Sequence, residues 1–165
     1  RIYNSTMNLS EIVVRASNES DCWTIWQLRY DSSAIPFFGD TDTVDFEEHK
    51  TWYMHKIASS SDVWLISELQ DQTVGFVRFS DMYPEHQHPG MKKSISIVVD
   101  PQFRGQGVGQ QILQESLRWY RSHEGSQHVL CTDILVSNLA AQKVFERCGF
   151  VIVDQVKKRF HYEMR

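Results

Sequence analysis

The stretch IVVDPQFRGQGVGQQIL, residues Ile97 to Leu113, decides the fold class of this 165-residue chain. An apolar run ends at Asp100-Pro101, an arginine and three alternating glycines follow, and a helical apolar period then begins. Glycine at every second position builds neither a strand nor a helix well. Bare backbone does let a ligand approach the unpaired N–H groups of a helix N-terminus, where the helix dipole favours negative charge. Arg104 adds a cation. The stretch reads as a strand, a phosphate or pyrophosphate cradle and a helix start.

Two familiar cradles do not fit. A P-loop ends in Gly-Lys-Ser/Thr, and here Gly109 is followed by Gln110-Gln111. A dinucleotide fingerprint needs a third glycine where this chain has Ile112. Working outward, the helix runs on with Val108, Ile112, Leu113, Leu117 and Tyr120 at helical period and Gly125 past its end. Downstream come a strand HVLCTDILV, a helix capped by Asn138, and two closing strands. Upstream, DVWLISELQ and TVGFVRFSD form a hairpin turning at Asp71-Gln72. Before them lie a strand over Ile12–Ser17, a helix capped by Asn18 with Cys22, Trp23, Trp26 and Tyr30 at its spacing, a loop with Pro36 and Gly39, and a helix capped by Thr43 with Phe46, Tyr53 and Ile57 on one side. Strands and helices mix around a strand–helix–strand–helix middle, so the class is α/β to α+β with a partly parallel sheet.

Composition narrows the function. One domain, residues 1–165, suffices for this length. The net charge of −4 leaves no basic excess to displace phosphate counterions, so nucleic acid is not an expected partner. No apolar run approaches the ~20 residues of a membrane span, and no signal-peptide pattern opens the chain. Cys22, Cys131 and Cys148 read as buried free thiols, which places the protein in the cytoplasm. His86 and His88 read as polar loop residues, and no metal site is expected.

Val99-Asp100-Pro101 and Arg104-Gly105-Gln106-Gly107-Val108-Gly109 resemble the acyl-CoA pyrophosphate loop of the GNAT acetyltransferase superfamily, with its R/Q-x-x-G-x-G/A signature. A second block, Asn138-Leu-Ala-Ala141-Gln-Lys-Val-Phe145-Glu-Arg-Cys-Gly149-Phe150, resembles that family's N-x-x-A/S-x-x-x-Y/F-x-x-x-G-F helix. The resemblance implies a GNAT fold: a mixed, twisted sheet of six to seven strands, splayed between the fourth and fifth, with four main helices. It also implies acetyl-CoA in the gap. Backbone groups of Ile97, Val98 and Val99, freed by a bulge at the last two, would take the pantetheine. The loop from Arg104 to Gly109, Val108 included, would take the pyrophosphate, and Asn138 and Phe145 would face the cofactor from the following helix. The cofactor-binding core would cover about 62–155 and the acceptor-side helices about 18–58.

Many members of the superfamily place a glutamate base on the fourth strand and a tyrosine acid in the second block. Here those positions hold Ser94 and Phe145, with Ser96 beside the first. Glu68 is the candidate substitute base, acting through water if it points into the cleft; Cys148 reads as core, and of His161 and Tyr162 at most one faces inward. On the acceptor side, Glu47, Glu48, His49 and Trp52 resemble a phrase of the GNATs that acetylate nucleotide-linked amino sugars. Arg29, Phe37, Phe38, Glu48 and Trp52 are therefore candidate acceptor contacts, the aromatic ones suited to stacking on a sugar or base. The expected activity is acetyl transfer from acetyl-CoA to a primary amine of a small molecule, such as an amino sugar. Acetylation of a protein N-terminus or lysine, and a silent CoA-binding module, are the alternatives. The expected assembly is a monomer or homodimer.

Overall fold

A computed structural model describes residues 7–38, 43–82 and 91–164; Gly39, His86 and His88 lie outside them. Seven strands form one sheet: β1 (Val13–Ala16), β2 (Val63–Leu69), β3 (Gln72–Asp81), β4 (Lys92–Val99), β5 (Val129–Leu135), β6 (Val151–Val156) and β7 (Arg159–Met164), in spatial order β1-β2-β3-β4-β5-β7-β6. Neighbours are antiparallel except β4 and β5, which run parallel through a helical crossover. The helices are α1 (Cys22–Arg29), α2 (Ile35–Phe38), α3 (Phe46–Ile57), α4 (Val108–Glu124) and α5 (Leu139–Arg147).

The two faces of the sheet carry different cores. On one, α4 presents Val108, Ile112, Leu113, Leu117 and Tyr120 to Leu65, Val77, Phe79, Ile95, Leu130 and Ile134, with Phe145 and Phe150 beside them. Burying side chains of this size contributes about 1.5–3 kcal/mol each, so this face dominates stability. On the other, Cys22, Ile25 and Leu28 of α1 and Tyr53 of α3 pack on Trp64, Ile66, Phe76 and Val98.

β4 pairs with β5 only over Lys92↔Val129, Lys93↔Leu130 and Ser94↔Cys131. Beyond that the strands part, the last link being the Thr132 hydroxyl, which donates to the Ile95 carbonyl at 2.9 Å. The sheet is thus splayed between the fourth and fifth strands. The opening does not come from a bulge at Val98 and Val99, since β4 keeps unbroken register with β3 from Lys93 to Val99. It comes from β5 leaving, which bares the β5-facing edge of β4.

Four local expectations shift. The β2–β3 turn is Gln70-Asp71, both at positive φ, one residue earlier than read. Residues 35–38 form a helical turn, not a loop, because Pro36 sits in a first turn where its missing N–H costs nothing. Asp45, not Thr43, caps α3, accepting from the Glu48 N–H at 2.9 Å. Finally, α1 buries Cys22, Ile25 and Leu28 toward the sheet, whereas Trp23 is exposed. Trp23 and Trp26 instead meet each other at 5.1 Å and the start of α3 through Phe46.

Candidate active site

The glycine loop is shaped by backbone sterics. Gly105 and Gly107 hold φ of 73° and 82°, the left-handed region that L side chains avoid. Gly107 is also the N-cap of the 17-residue α4, and no side chain caps that helix. The first N–H groups of α4 are left for a ligand, and the dipole there favours an anion. A side chain at Gly105 would meet nothing within 4 Å, so the loop opens outward. An uncapped helix start behind bare glycines fits a pyrophosphate. Val108 is buried beneath the loop. Arg104 donates from Nε to the Val99 carbonyl at 3.1 Å and from Nη1 to Ser33 Oγ at 2.7 Å, tying the loop to the α1–α2 connection. Gln106 donates to the Gln102 carbonyl at 3.1 Å.

The other cofactor candidates are placed as follows. Ile97 and Val99 lean toward the α4 core, and Val98 toward the α1/α3 core. Asn138 caps α5, accepting from the Ala141 N–H at 3.2 Å. Phe145 is buried edge-on to Phe150 in the α4/α5 core, ring centroids 5.1 Å apart.

Across the sheet, α1, α2, α3 and the faces of β2–β4 enclose a cavity of about 390 Å³. Arg29, Phe38, Glu48 and Trp52 line it; Phe37 does not, because one residue along a helical turn points it to solvent. The strands add Trp64, Phe76, Arg78 and Ser96, and the helices add Tyr30 and His49. The Arg78 guanidinium lies 5.0 and 4.9 Å from the Trp52 and Trp64 rings and pairs with the Asp62 carboxylate at 2.6 Å. Arg29 stacks on the Phe38 ring at 3.6 Å. Two buried polar atoms in this wall, His49 Nε2 and Trp64 Nε1, have no hydrogen-bond partner among the described residues. Burial, followed by the charge on Arg29, pushes the His49 imidazole down to about 4, so it is neutral at pH 7. An orphaned buried N–H or ring nitrogen costs about 1–3 kcal/mol until something bonds to it.

Glu68 lies elsewhere. Its carboxylate pairs with Arg15 of β1, which also bonds both oxygens of Asp21 at 2.8 Å, and it does not line the cavity. The thiol of Cys148 is pushed up to about 11 by burial. Tyr162 points into the α4/α5 core and donates to Glu146 at 2.9 Å. His161, its neighbour, takes the opposite face. Sequence reasoning missed Trp64, Phe76 and Arg78 as cavity residues. Their signal was the β2–β3 register, which sets Trp64 opposite Arg78.

Among the described residues no group of His, Cys, Asp and Glu is disposed to hold a metal, and no helix is long and apolar enough to cross a membrane. No curated protein matches the sequence. Solved structures do match the fold. Spermidine N-acetyltransferase from Vibrio cholerae, complexed with CoA and spermine, aligns at a TM-score of 0.78 and 18% identity, covering 93% of this chain and 94% of that one. The aminoglycoside acetyltransferase AAC(6')-Ib, with paromomycin and acetyl-CoA, aligns at 0.78 and 16%, covering 93% and 92%. A GNAT-family acetyltransferase from Streptococcus pneumoniae aligns at 0.69 and 19%, covering 93% and 96%. The family model for acetyltransferase (GNAT) proteins matches residues 23–150, from α1 to the end of α5. With that match spanning most of its length, the chain belongs to the GNAT acetyltransferase family.

Proposed function

We propose that this protein transfers the acetyl group of acetyl-CoA to the primary amine of a small molecule carrying several hydroxyl or carbonyl groups, an amino sugar being the class that suits it best. The observation that carries this reading is the cavity wall. Tyr30, Phe38, Trp52 and Trp64 offer flat apolar faces of the kind that cover sugar C–H surfaces. His49 Nε2 and Trp64 Nε1 await polar partners, and Glu48 supplies a carboxylate for an ammonium group. Ser96 joins this wall to β4, the strand that edges the splay. A volume of about 390 Å³ is in the range of small-molecule pockets. Orienting an amine there against a thioester in the splay supplies the proximity on which acyl transfer largely depends.

The test is thiol release from acetyl-CoA with a panel of amino sugars, polyamines and peptides with free N-termini or lysines. Release with amino sugars is expected, and release with peptides alone would overturn the reading. A second reading, a catalytically silent CoA-binding module, draws on Ser94 and Phe145 standing where a base and an acid are usual. It gains if CoA raises the melting temperature and no amine releases thiol.

A further inference from the structure

We propose that Asp133, oriented by His161, is the base of acetyl transfer; this rests on the acetyltransferase reading above. The face of each strand fixes the geometry. On β4, Ile95, Ile97 and Val99 turn to the α4 core, so Ser94, Ser96 and Val98 turn to the acceptor side, where Ser96 lines the cavity. On β5, Leu130 and Ile134 turn to the α4 core, so Cys131 and Asp133 turn to the acceptor side. The parallel register ends at Ser94↔Cys131. Two residues further along both strands, Ser96 and Asp133 face the same side of the gap; Ser96 lines the cavity, and Asp133 lies beyond its lining on the far bank of the gap, unlike Glu68 on β2.

Three further contacts set Asp133 apart from an ordinary surface carboxylate. His161 Nδ1 lies 2.7 Å from Asp133 Oδ1, and His161 Nε2 lies 3.2 Å from Glu163 Oε1. Glu163 accepts in turn from Lys92 Nζ of β4 at 2.5 Å. The brace thus crosses three strands, linking Asp133 on β5 to His161 and Glu163 on β7 and to Lys92 on β4, with Asp154 of β6 opposite His161. Arg159 donates to the Asp133 carbonyl at 3.4 Å and to the Phe38 carbonyl at 3.2 Å, which joins this end of β5 to the cavity wall. Both imidazole nitrogens face carboxylates, so His161 positions and Asp133 reacts. The Asp133 side chain is 42% exposed although its neighbours Thr132 and Ile134 are buried.

The step balances without a tyrosine. The neutral amine attacks the thioester carbonyl, the N–C bond forms and the nitrogen becomes positive. Asp133 takes one of its protons, directly or through one water. The tetrahedral adduct collapses, the C–S bond breaks with its electron pair on sulfur, and the CoA thiolate is protonated from solvent. Asp133 returns its proton to water. Phe145 in place of an acid is then no obstacle.

The test uses Asp133→Asn, Asp133→Glu and His161→Asn in the full chain, with CoA-induced thermal shift as the check on fold and donor binding. Asp133→Asn is expected to lower kcat about 100-fold or more, with KM for acetyl-CoA within about 2-fold. Asp133→Glu should recover part of the rate, and His161→Asn should fall in between. An active parent with Asp133→Asn within about 3-fold of it would overturn the assignment alone. A parent that releases no thiol with any amine would overturn the acetyltransferase reading and this assignment with it.

Discussion

Gly75 of β3 sits tight against both β4 and α4. A Cβ there would lie 2.5 Å from the Val98 carbonyl oxygen and 2.9 Å from Ile112 Cδ1, and a backbone oxygen cannot swing aside. Gly75→Ala is therefore expected to cost about 1–3 kcal/mol, read as a lower denaturant midpoint. His49 is the second residue with a measurable signature. Its pKa of about 4 lies below the ordinary 6.5, so the unfolded chain binds the proton more readily. Stability is full above pH 6.5 and falls as pH drops toward 4, by on the order of 3 kcal/mol. His49→Gln should flatten that slope, seen as melting temperatures at pH 7 and pH 5 that differ less than in the parent. Asp21 acts in the more acid range. Burial opposes its charge, but the bonds from Arg15 and the Asn18 N–H outweigh burial and hold the carboxyl below its ordinary 3.8. That stabilisation is present above about 3.8 and lost as pH falls through the lower folded value. Arg15→Ala should be less stable than the parent at pH 7, and the gap should narrow in acid as Asp21 is protonated.

At the scale of elements, the start of α4 makes folding and binding respond in opposite directions. A Cβ at Gly109 would touch Val99 and Val144 at 3.4 and 3.5 Å, ordinary contact distances, so the position accepts a side chain. A carboxylate in the first turn of a helix stabilises it by about 0.3–1 kcal/mol. The same carboxylate repels a pyrophosphate. Gly109→Asp is expected to keep or raise the melting temperature of the free protein and to abolish the rise that CoA gives the parent. A variant that still shifts with CoA would remove the cradle from this loop. Elements also explain what could be read early. The cradle and α5 are local in sequence, and their glycines and caps are where the pattern put them. The cavity wall was half legible: Arg29, Phe38, Glu48 and Trp52 belong to helices whose phrases stand out. Trp64, Phe76 and Arg78 look like ordinary strand residues until the register assembles them. Asp133 and His161 lie 28 residues apart and meet only through β5–β7 pairing.

For the whole molecule, the splayed sheet puts the two halves of the proposed site beside one opening: the uncapped helix start of α4 for the donor and the aromatic cavity for the acceptor. The splay between the fourth and fifth strands was foreseeable from the two motif blocks. Its cause was not, because the departure of β5 leaves no mark on Val98 or Val99. Steady-state thiol release from acetyl-CoA, with amino sugars as acceptors and with the parent and Trp52→Ala side by side, bears most directly on acetyl transfer in this cavity. The expected result is release that saturates with the amine, with Trp52→Ala raising the amine KM about 10-fold or more and leaving KM for acetyl-CoA unchanged. Release with peptides only, or no release while CoA still raises the melting temperature, would contradict it.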